Sequence, residues 1–414
     1  MLMQIEGSQA VAKAVVLCRP EVISCYPITP QTHIVETLSA LVKKGEVGSC
    51  QFLNAESEFG ALSILIGASA AGARTYTATG SQGLLFMAEA VYNVSGLGFP
   101  IVMTIGNRTI GAPINIWNDH SDSMSMRDSG WIQLYAENNQ EALDLHIQAF
   151  RLAEELSCPV MVCMDGFILT HAFERVDLPD QHQVDSFLPP YEPIQVLDPG
   201  DPISIGAMVG PDAFMEVKYL AHQKQIRALE LILQIQDEFK RNFSRSSGGL
   251  FADYLLTDAD IAVVALGSVI GTIKDAVDDL RQKGLKVGCL KIVSFRPFPT
   301  SQLHAVLKHV KRVIIVEKAL ALGNGGIVSG EITMALHGLP ITVQTVIAGL
   351  GGRPILKSSL IKMIRDSYED HLEPLHFLDI DKAVIQGEME RQKQVRRAGP
   401  TPESIIRKVG ITST

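Results

Sequence analysis

The sequence predicts an α/β protein with two domains: a parallel sheet covered by helices on both faces, followed by a smaller α/β domain. Short β-rich runs alternate with helical patterns through the first half of the chain, an alternation typical of parallel sheets. A strand, a Gly-rich turn and a helix follow one another twice between residues 260 and 335. The chain has 414 residues, of which 46% are hydrophobic and 20% charged, which indicates packed domains and is long for a single core.

Six strands are predicted in the first half, with four helical patterns between or after them. The strands are "EVISCY" (21–26), "CQFLNA" (50–55), "ARTYTA" (73–78), "PIVMTIG" (100–106), "WIQLYAE" (131–137) and "PVMVCMD" (159–165). The helical patterns are "TPQTHIVETLSALVKK", "SEFGALSILIGASAAG", "SQGLLFMAEAVYNVSGL" and "NQEALDLHIQAFRLAEEL". A Pro-rich stretch, 166–215, has little periodicity and is predicted to be an ordered excursion over the surface. A long helix, "AFMEVKYLAHQKQIRALELILQIQDEF", follows it.

The segment "SRSSGGLFADY" is the predicted domain boundary, because it is rich in Ser and Gly and separates two periodic regions. We therefore expect a first domain over 1–245 and a second over 250–360. The remainder, 366–414, is more charged and lacks Gly-rich βα turns, so it is predicted to be a docking arm.

Composition excludes several classes of protein. The net charge of −9 is spread along the chain, which argues against a nucleic-acid groove. No stretch is long and apolar enough to span a bilayer, and no export signal is evident. The six cysteines form no C-x-x-C pair, so we expect reduced core thiols in a cytoplasmic protein and no iron–sulfur cluster on this chain.

Ligands of parallel sheets collect beyond the carboxyl ends of the strands, so the loops after the strands are the places to search. Thr29, in "YPITPQT", is either an N-cap, which local evidence favours, or a hydroxyl offered to a ligand. Glu56 and Glu58 open the next helix with no basic residue before Arg74. The helix dipole alone would favour both carboxylates. Residues two apart do not face each other, so only one of them can face a given cleft.

Two further loops carry candidate residues. "TGSQGL" (79–84) offers Ser81 as an N-cap, and Gly80 and Gly83 permit close approach of the backbone. The readings as packing and as ligand contact are equally supported. Arg108 stands within two residues of a strand end, where a guanidinium can grip a carboxylate with two hydrogen bonds.

Two motifs have a plainer explanation that we favour. Asp119, His120 and Asp122 superficially resemble metal ligands, but no further His or Cys completes a set, so hydrogen bonding is the better interpretation. The stretch "LGNGGIVSGE" (322–331) resembles a phosphate loop, yet it lacks a lysine and an acidic partner at dinucleotide spacing. Close helix packing is the better interpretation there.

The blocks "YPITPQT", "ESEFGA…GASAAGA", "TATGSQGLLFM", "NRTIGAPINIWNDHSD", "DSGWIQLYAENNQEALDL" and "DGF" together resemble one family closely. It is the thiamine-diphosphate-dependent 2-oxoacid:ferredoxin oxidoreductases, in particular the α subunit of the multi-subunit forms. The likeness covers about residues 5–365. It implies a pyrimidine-binding domain in the first part of the chain and a domain similar to the C-terminal domain of transketolase in the second.

The resemblance also implies roles for individual residues. Glu58 falls where the family has the glutamate that hydrogen-bonds N1′ of the aminopyrimidine, and Glu56 becomes its structural neighbour. Arg108 falls on the arginine that binds the substrate carboxylate, and Thr29 on the loop threonine. Ser81 and Gln82 would lie near the pyrimidine ring. The family's diphosphate and Mg²⁺ motif, a GDG followed later by an Asn, does not occur in this sequence.

By the family pattern, a β subunit supplies the Mg²⁺ and diphosphate ligands, and a γ subunit and a ferredoxin-like δ subunit carrying [4Fe-4S] clusters complete the complex. The implied reaction is CoA-dependent oxidative decarboxylation of a 2-oxoacid, with ferredoxin or an NAD-linked flavin subunit as acceptor. The implied substrate is pyruvate or an aromatic 2-oxoacid such as phenylglyoxylate. The aromatic substrate stays open because "GGRPIL" (351–356) lacks the Asp that pyruvate enzymes tend to have after the Arg. The alternatives are a CoA-ligase-type subunit, although no histidine sits in a Gly-rich loop, and a non-catalytic assembly subunit.

Overall fold

The structure, a computed structural model, describes residues 1–202, 204–394 and 399–409. Its strands are β1 (Leu2–Glu6), β2 (Val22–Cys25), β3 (Gln51–Asn54), β4 (Thr75–Thr79), β5 (Val102–Asn107), β6 (Ile132–Tyr135), β7 (Val160–Asp165), β8 (Phe173–Asp177), β9 (Phe251–Tyr254), β10 (Ile261–Ala265), β11 (Val287–Ile292), β12 (Ser294–Arg296), β13 (Arg312–Glu317), β14 (Thr342–Ile347) and β15 (Leu375–Phe377).

The helices alternate with these strands through most of the chain. They are α1 (Gly7–Leu17), α2 (Thr32–Lys43), α3 (Glu58–Ala70), α4 (Ser81–Phe86), α5 (Ala88–Leu97), α6 (Ser121–Ser125), α7 (Asn139–Leu156), α8 (Gln181–Phe187), α9 (Pro211–Phe243), α10 (Val269–Arg281), α11 (Thr300–Leu307), α12 (Val328–Ala335), α13 (Lys357–Tyr368), α14 (Lys382–Gln394) and α15 (Thr401–Lys408).

A seven-stranded sheet forms the first half of the molecule, in the order β12-β6-β7-β5-β4-β2-β3. The six strands from β2 to β7 run parallel and correspond to the six predicted strands. Every residue of β4, β5, β6 and β7 is buried, as expected for strands covered by helices on both faces. The predicted α/β fold is confirmed.

The second sheet has six strands in the order β15-β14-β13-β10-β11-β9. The segment predicted as the boundary contains β9, which pairs antiparallel with β11. The next strand in sequence, β12, leaves this sheet and pairs antiparallel with β6 of the first one. The two halves therefore share a strand pairing as well as an apolar core.

Sequence patterns missed several elements. The antiparallel pair β1-β8 and the helices α1 and α8 were not predicted. Both β8 and α8 lie in the Pro-rich stretch. The pattern predicted as one helix over 81–97 is two helices that meet at Met87. The segment predicted as a docking arm contains β15, which pairs with β14, and its residues 395–398 and 410–414 lie outside the described part of the chain.

All six cysteines are buried and free of disulfides, as the sequence predicted. Within the described residues, no helix combines the length and apolar character needed to cross a membrane.

A buried ion network joins the two halves at the carboxyl end of β7. Asp165 accepts hydrogen bonds from Lys318 Nζ at 2.7 Å and from the backbone N–H of Ser268 at 2.9 Å. Its other oxygen lies 2.6 Å from Nε2 of His120. The Lys318 ammonium and His120 hold the pKa of this carboxyl well below its usual range, against the opposing effect of burial. The interface is thus fixed by charges that lose their compensation if one partner is removed.

Candidate functional site

The loops that carry the predicted site residues meet at the carboxyl edge of the first sheet. Residues 26–31 follow β2, 55–57 follow β3, Gly80 follows β4 and Arg108 follows β5. Because these four strands are parallel neighbours, their ends lie together, and the structure brings the predicted residues to one place.

Glu58 is the first residue of α3 and points into this edge. Ser57 is the N-cap, and its hydroxyl accepts a hydrogen bond from the Gly60 N–H at 3.0 Å. The Glu58 side chain is 7% exposed. Among the described residues its carboxylate has no hydrogen-bond or ion-pair partner. Glu56 is exposed and lies 3.2 Å from the Ser57 hydroxyl, so one carboxylate of the pair faces inward, as the spacing predicted.

The Glu58 carboxylate lies close to the backbone of Gly83. A Cβ added to Gly83 would lie 2.6 Å from Oε1 of Glu58 and 2.6 Å from Oγ1 of Thr79. The Thr79 hydroxyl is fully buried and has no hydrogen-bond partner within the part of the chain that the structure describes. A buried carboxylate and a buried hydroxyl, both without protein partners, indicate a polar ligand at this point.

Ser81 has a strained backbone, and its side chain is hydrogen-bonded within the site. Its φ is +52°, a region that non-glycine residues rarely adopt and that recurs at functional sites. The Ser81 hydroxyl donates to the carbonyl of Thr109 at 2.5 Å and also contacts the Gln82 side-chain oxygen. The predicted N-cap role of Ser81 is wrong, since Gly80 occupies that position and Ser81 is the first residue of α4.

Asp122 joins the loops of the site through hydrogen bonds to its two carboxylate oxygens. Its Oδ2 accepts from the backbone N–H of Ser81 at 2.8 Å and of Arg108 at 3.0 Å. Its Oδ1 accepts from Nδ2 of Asn107 and from the N–H of Ser123, both at 2.8 Å. Burial raises the pKa of Asp122 to about 6, although all four donors favour the ionised form.

Arg108 lies almost buried, and its charge has no ion-pair partner among the described residues. Its Nη1 donates to the Thr29 carbonyl at 3.0 Å and its Nε to the Asn115 carbonyl at 3.1 Å. Burial lowers the pKa of Arg108, and nearby Asp122 offsets part of that effect. Donors of Nη2 stay available for an anion in the cleft.

Thr29 is exposed and contacts Arg108 through its carbonyl. The N-cap interpretation of Thr29 is wrong, because α2 begins only at Thr32 and Gln31 occupies the N-cap position. Pro30 likewise precedes the helix rather than opening it. The Thr29 hydroxyl makes no hydrogen bond within the described residues, so its side chain is free to contact a ligand.

The motifs for which we favoured a plain interpretation are structural. Asp119 binds the N–H of Ser121 at 3.0 Å, and His120 and Asp122 serve the contacts described above. The backbone N–H groups of "LGNGGIVSGE" at the start of α12 donate to the carboxylate of Glu317, the last residue of β13. The distances are 2.7 Å from Ile327, 2.8 Å from Val328 and 3.2 Å from Ser329. A protein carboxylate therefore occupies the place that a phosphate would need.

Comparison with known proteins identifies the family. The model of the thiamine-diphosphate-binding region of the pyruvate flavodoxin/ferredoxin oxidoreductases matches residues 13–237, and that of core domain II of pyruvate:ferredoxin oxidoreductase matches 259–359. The pyruvate synthase subunit PorA of Methanosarcina barkeri is 49% identical over 368 residues, which are 88% of this chain and 92% of that one.

This chain belongs to the α subunits of the 2-oxoacid:ferredoxin oxidoreductases. It is also 37% identical to the ketoisovalerate oxidoreductase subunit VorA of Pyrococcus abyssi, over 94% of this chain and 95% of that one. The α subunit is thus one part of an oxidoreductase complex, as the sequence predicted.

Two solved structures share the fold of this α subunit. The 2-oxoglutarate:ferredoxin oxidoreductase from Magnetococcus marinus, solved with 2-oxoglutarate, coenzyme A and succinyl-CoA bound, matches 88% of this chain and 65% of its own with a TM-score of 0.65 at 20% identity. An inactive split-gene transketolase matches with a TM-score of 0.51 at 12% identity.

Sequence reasoning missed three residues of the site. The sequence predicts hydrogen bonding for Asp122 but not which loops it joins, and it assigns no individual role to Thr79 or Asp165 within the motifs that contain them. The one available signal was the position of Thr79 and Asp165 as the last residues of β4 and β7, where side chains reach the carboxyl edge.

Proposed function

We propose that this α subunit forms half of an interfacial thiamine-diphosphate site that oxidises pyruvate with coenzyme A to acetyl-CoA and CO₂, the two electrons passing to iron–sulfur clusters on partner subunits. The observation that carries the proposal is the inward-facing Glu58 carboxylate, which is buried yet has no partner among the described residues.

The pocket fits the aminopyrimidine part of the cofactor. Glu58 offers an acceptor, or a shared proton, to a ring nitrogen such as N1′. Thr79 adds a buried hydroxyl without a hydrogen-bond partner among the described residues, and the missing side chain of Gly83 lets the Glu58 and Thr79 oxygens lie close to the α4 backbone. Ser81 and Gln82, which directly precede Gly83 in the chain, are the residues that we expect near the pyrimidine ring. The proposed first domain, 1–245, is the pyrimidine-binding domain.

When bound beside Glu58, thiamine diphosphate would supply a nucleophilic carbon for the keto group of the substrate. The part of Glu58 is to hold and return a proton at N1′, which is general acid–base work contributing ~10²–10⁴-fold. The apolar faces of α3 and α5 behind it keep water away from the reacting groups.

Arg108 and Thr29 bind and orient the substrate. The guanidinium has a place for one carboxylate, since its remaining donors face no protein anion in the described part of the chain. Thr29, whose carbonyl accepts from Nη1 of Arg108, would orient the keto group through its hydroxyl. Fixing both groups is a positioning role.

The proposed substrate is pyruvate. The chain shares more identity with the pyruvate synthase subunit of Methanosarcina barkeri, 49%, than with the ketoisovalerate subunit of Pyrococcus abyssi, 37%. An aromatic 2-oxoacid such as phenylglyoxylate is the second candidate from the "GGRPIL" sequence, and it belongs in the same substrate panel.

The proposed partners complete what this chain lacks. A β subunit brings the Mg²⁺ and diphosphate ligands, and γ and ferredoxin-like δ subunits carry electrons through [4Fe-4S] clusters to ferredoxin or an NAD-linked flavin subunit. Large apolar side chains are exposed on the loops and helices of the site, as expected for a protein interface: Tyr26, Phe59, Phe86, Ile114 and Trp117. We place the complex in the cytoplasm and assign 366–414 to docking.

The test is CoA-dependent dye reduction under anaerobic conditions by the complex purified with its natural partners. The panel contains pyruvate, 2-oxoisovalerate, 2-oxoglutarate and phenylglyoxylate. In complexes of unchanged subunit composition, we expect Glu58→Gln to lower turnover by at least ~100-fold. The matched control is Glu56→Gln, which alters the exposed neighbour and leaves turnover within ~3-fold of wild type.

Equal activity of wild type and Glu58→Gln would make Glu58 a helix-start anion and leave an assembly role for this chain. Activity with phenylglyoxylate and none with pyruvate would replace the proposed substrate while keeping the mechanism. A CoA-ligase-type subunit would instead need ATP and show no dye reduction.

A further inference from the structure

Three side chains from distant parts of the sequence meet beside the site. Glu6 ends β1, His33 stands in the first turn of α2 and His171 lies in the loop after β7. One ligand atom of each lies within 4.8 Å of those of the other two. We propose that Glu6, His33 and His171 form a binding site for a divalent transition metal ion of the zinc class.

The donor set defines the class of ion. Two imidazoles and one carboxylate are the ligands that Zn²⁺ takes in open sites, where a water molecule fills the fourth position. Imidazole also suits Co²⁺ and Ni²⁺, whereas Mg²⁺ and Ca²⁺ prefer oxygen ligands.

Burial of the carboxylate favours a cation in this place. Glu6 is 6% exposed, and the one side chain that contacts its carboxylate among the described residues is His33, with Nδ1 2.6 Å from Oε1. His33 is itself about half exposed. A buried carboxylate with one half-exposed partner is poorly compensated, and a divalent ion between the two groups would supply the missing charge.

The surroundings of His171 resemble the outer shell of a metal site. The hydroxyl of buried Thr170 lies 2.7 Å from Nδ1 of His171 and orients the ring. On its other sides, the His171 ring has its centroid 4.7 Å from that of His33 and 4.7 Å from that of Phe167. Hydrogen-bonded and apolar neighbours of this kind fix a ligand and limit access of solvent.

Metal coordination requires small movements of these side chains. Zn–N and Zn–O bonds of ~2.0–2.2 Å in a tetrahedron place ligand atoms roughly 3.3 Å apart. The oxygen–nitrogen distance between Glu6 and His33 must widen from 2.6 Å, and His171 must approach. The bound ion would then tie the end of β1 and the start of α2 to the loop whose Phe167 ring packs on Trp117, 4.7 Å between centroids, at the rim of the site.

The experiment uses the full chain, stripped of metal with a chelator, and needs no catalytic activity. Isothermal titration with Zn²⁺ and the visible d–d spectrum of added Co²⁺ measure stoichiometry, affinity and geometry. We expect one ion per chain and a tetrahedral Co²⁺ spectrum. His171→Gln should weaken binding by at least ~100-fold, beyond the ~10–100-fold that loss of an outer-shell partner costs.

His182→Gln is the matched control, since His182 is an exposed histidine on α8 outside the cluster, and its Zn²⁺ affinity should equal that of wild type. His33→Gln provides a second variant at a half-exposed position, with circular dichroism to verify folding. Equal Zn²⁺ affinity in wild type and in either folded cluster variant would overturn the proposal, as would absence of stoichiometric binding to wild type. Glu6 and His33 would then form only a hydrogen-bonded pair.

Discussion

Replacing Gly83 with alanine tests how closely the Glu58 carboxylate is positioned. The new methyl carbon would lie 2.6 Å from both Oε1 of Glu58 and Oγ1 of Thr79, and 3.0 Å from Cδ of Glu58. Ordinary contact begins at about 3.4 Å, so these side chains must retreat by somewhat less than 1 Å. Both are flexible enough to move without unfolding the helix.

The magnitude follows from that displacement. A shift of ~1 Å in a catalytic group costs ~10²-fold in rate, which corresponds to ~2.7 kcal/mol of transition-state stabilisation. We therefore expect Gly83→Ala to lower kcat/KM for the preferred 2-oxoacid by ~30- to 100-fold in the purified complex. Subunit composition by gel filtration should be unchanged.

Gly67→Ala is the matched control, because Gly67 lies in α3 with Glu58 and an added Cβ meets nothing within 4 Å. Alanine in the interior of a helix is favoured over glycine by ~1 kcal/mol, so this variant should melt higher and keep full activity. Wild-type activity in Gly83→Ala would refute the positioning argument. A similar loss in Gly67→Ala would show that α3 tolerates no change at all.

Three further outcomes follow from buried charges. Each carboxylate oxygen of Asp122 accepts two N–H groups, so in Asp122→Asn the new NH₂ group must face two of these donors, and each unsatisfied donor costs ~1–3 kcal/mol. Urea unfolding should show a free energy of unfolding lower by ~2–6 kcal/mol, and a decrease below ~1 kcal/mol would contradict this network. Since the folded pKa of Asp122 is about 6 against an ordinary 3.8, the folded state binds its proton more tightly, and this contribution to stability, present below pH 4, is lost as pH rises to 6. Wild type should therefore gain up to ~3 kcal/mol on the asparagine variant between pH 6 and pH 4, whereas a pH-independent difference would contradict the shift. Lys318→Met removes the ammonium partner of buried Asp165 and should cost ~3–5 kcal/mol in the same assay. Lys311→Met, at an ion pair whose lysine side chain is 77% exposed, should cost less than ~1 kcal/mol, and similar losses in both variants would contradict the interface network.

The sequence was sufficient for the parallel sheet and the position of its edge. Hydrophobic runs of β-branched residues gave the six strands, since such runs need no knowledge of distant contacts. The glutamate pair was also interpretable, because residues two apart on a helix do not face each other, although Glu56 precedes α3, which begins at Glu58. Thr29 follows β2 and Arg108 follows β5, two parallel strands that only β4 separates, so both residues were expected at the same edge of the sheet.

What escaped prediction depends on contacts between distant residues. Asp122 joins three loops, yet in the sequence it stands among other polar residues and has no distinguishing neighbour. The strand β12 has three residues and pairs with β6, which lies about 160 positions earlier. The capping role assigned to Thr29 was wrong because α2 begins only at Thr32, with Gln31 as its N-cap. The capping role assigned to Ser81 was wrong because Gly80 is the N-cap of α4.

The pairing of β12 with β6 limits how this protein can be divided or recombined. A fragment ending near residue 245 would keep β6, with four buried residues, but would lose the strand that covers it. An uncovered apolar edge of this kind recruits other strands and promotes aggregation. The two halves are therefore not interchangeable cassettes, and a chimera with another family's second domain would have to carry residues 294–296 along with the first.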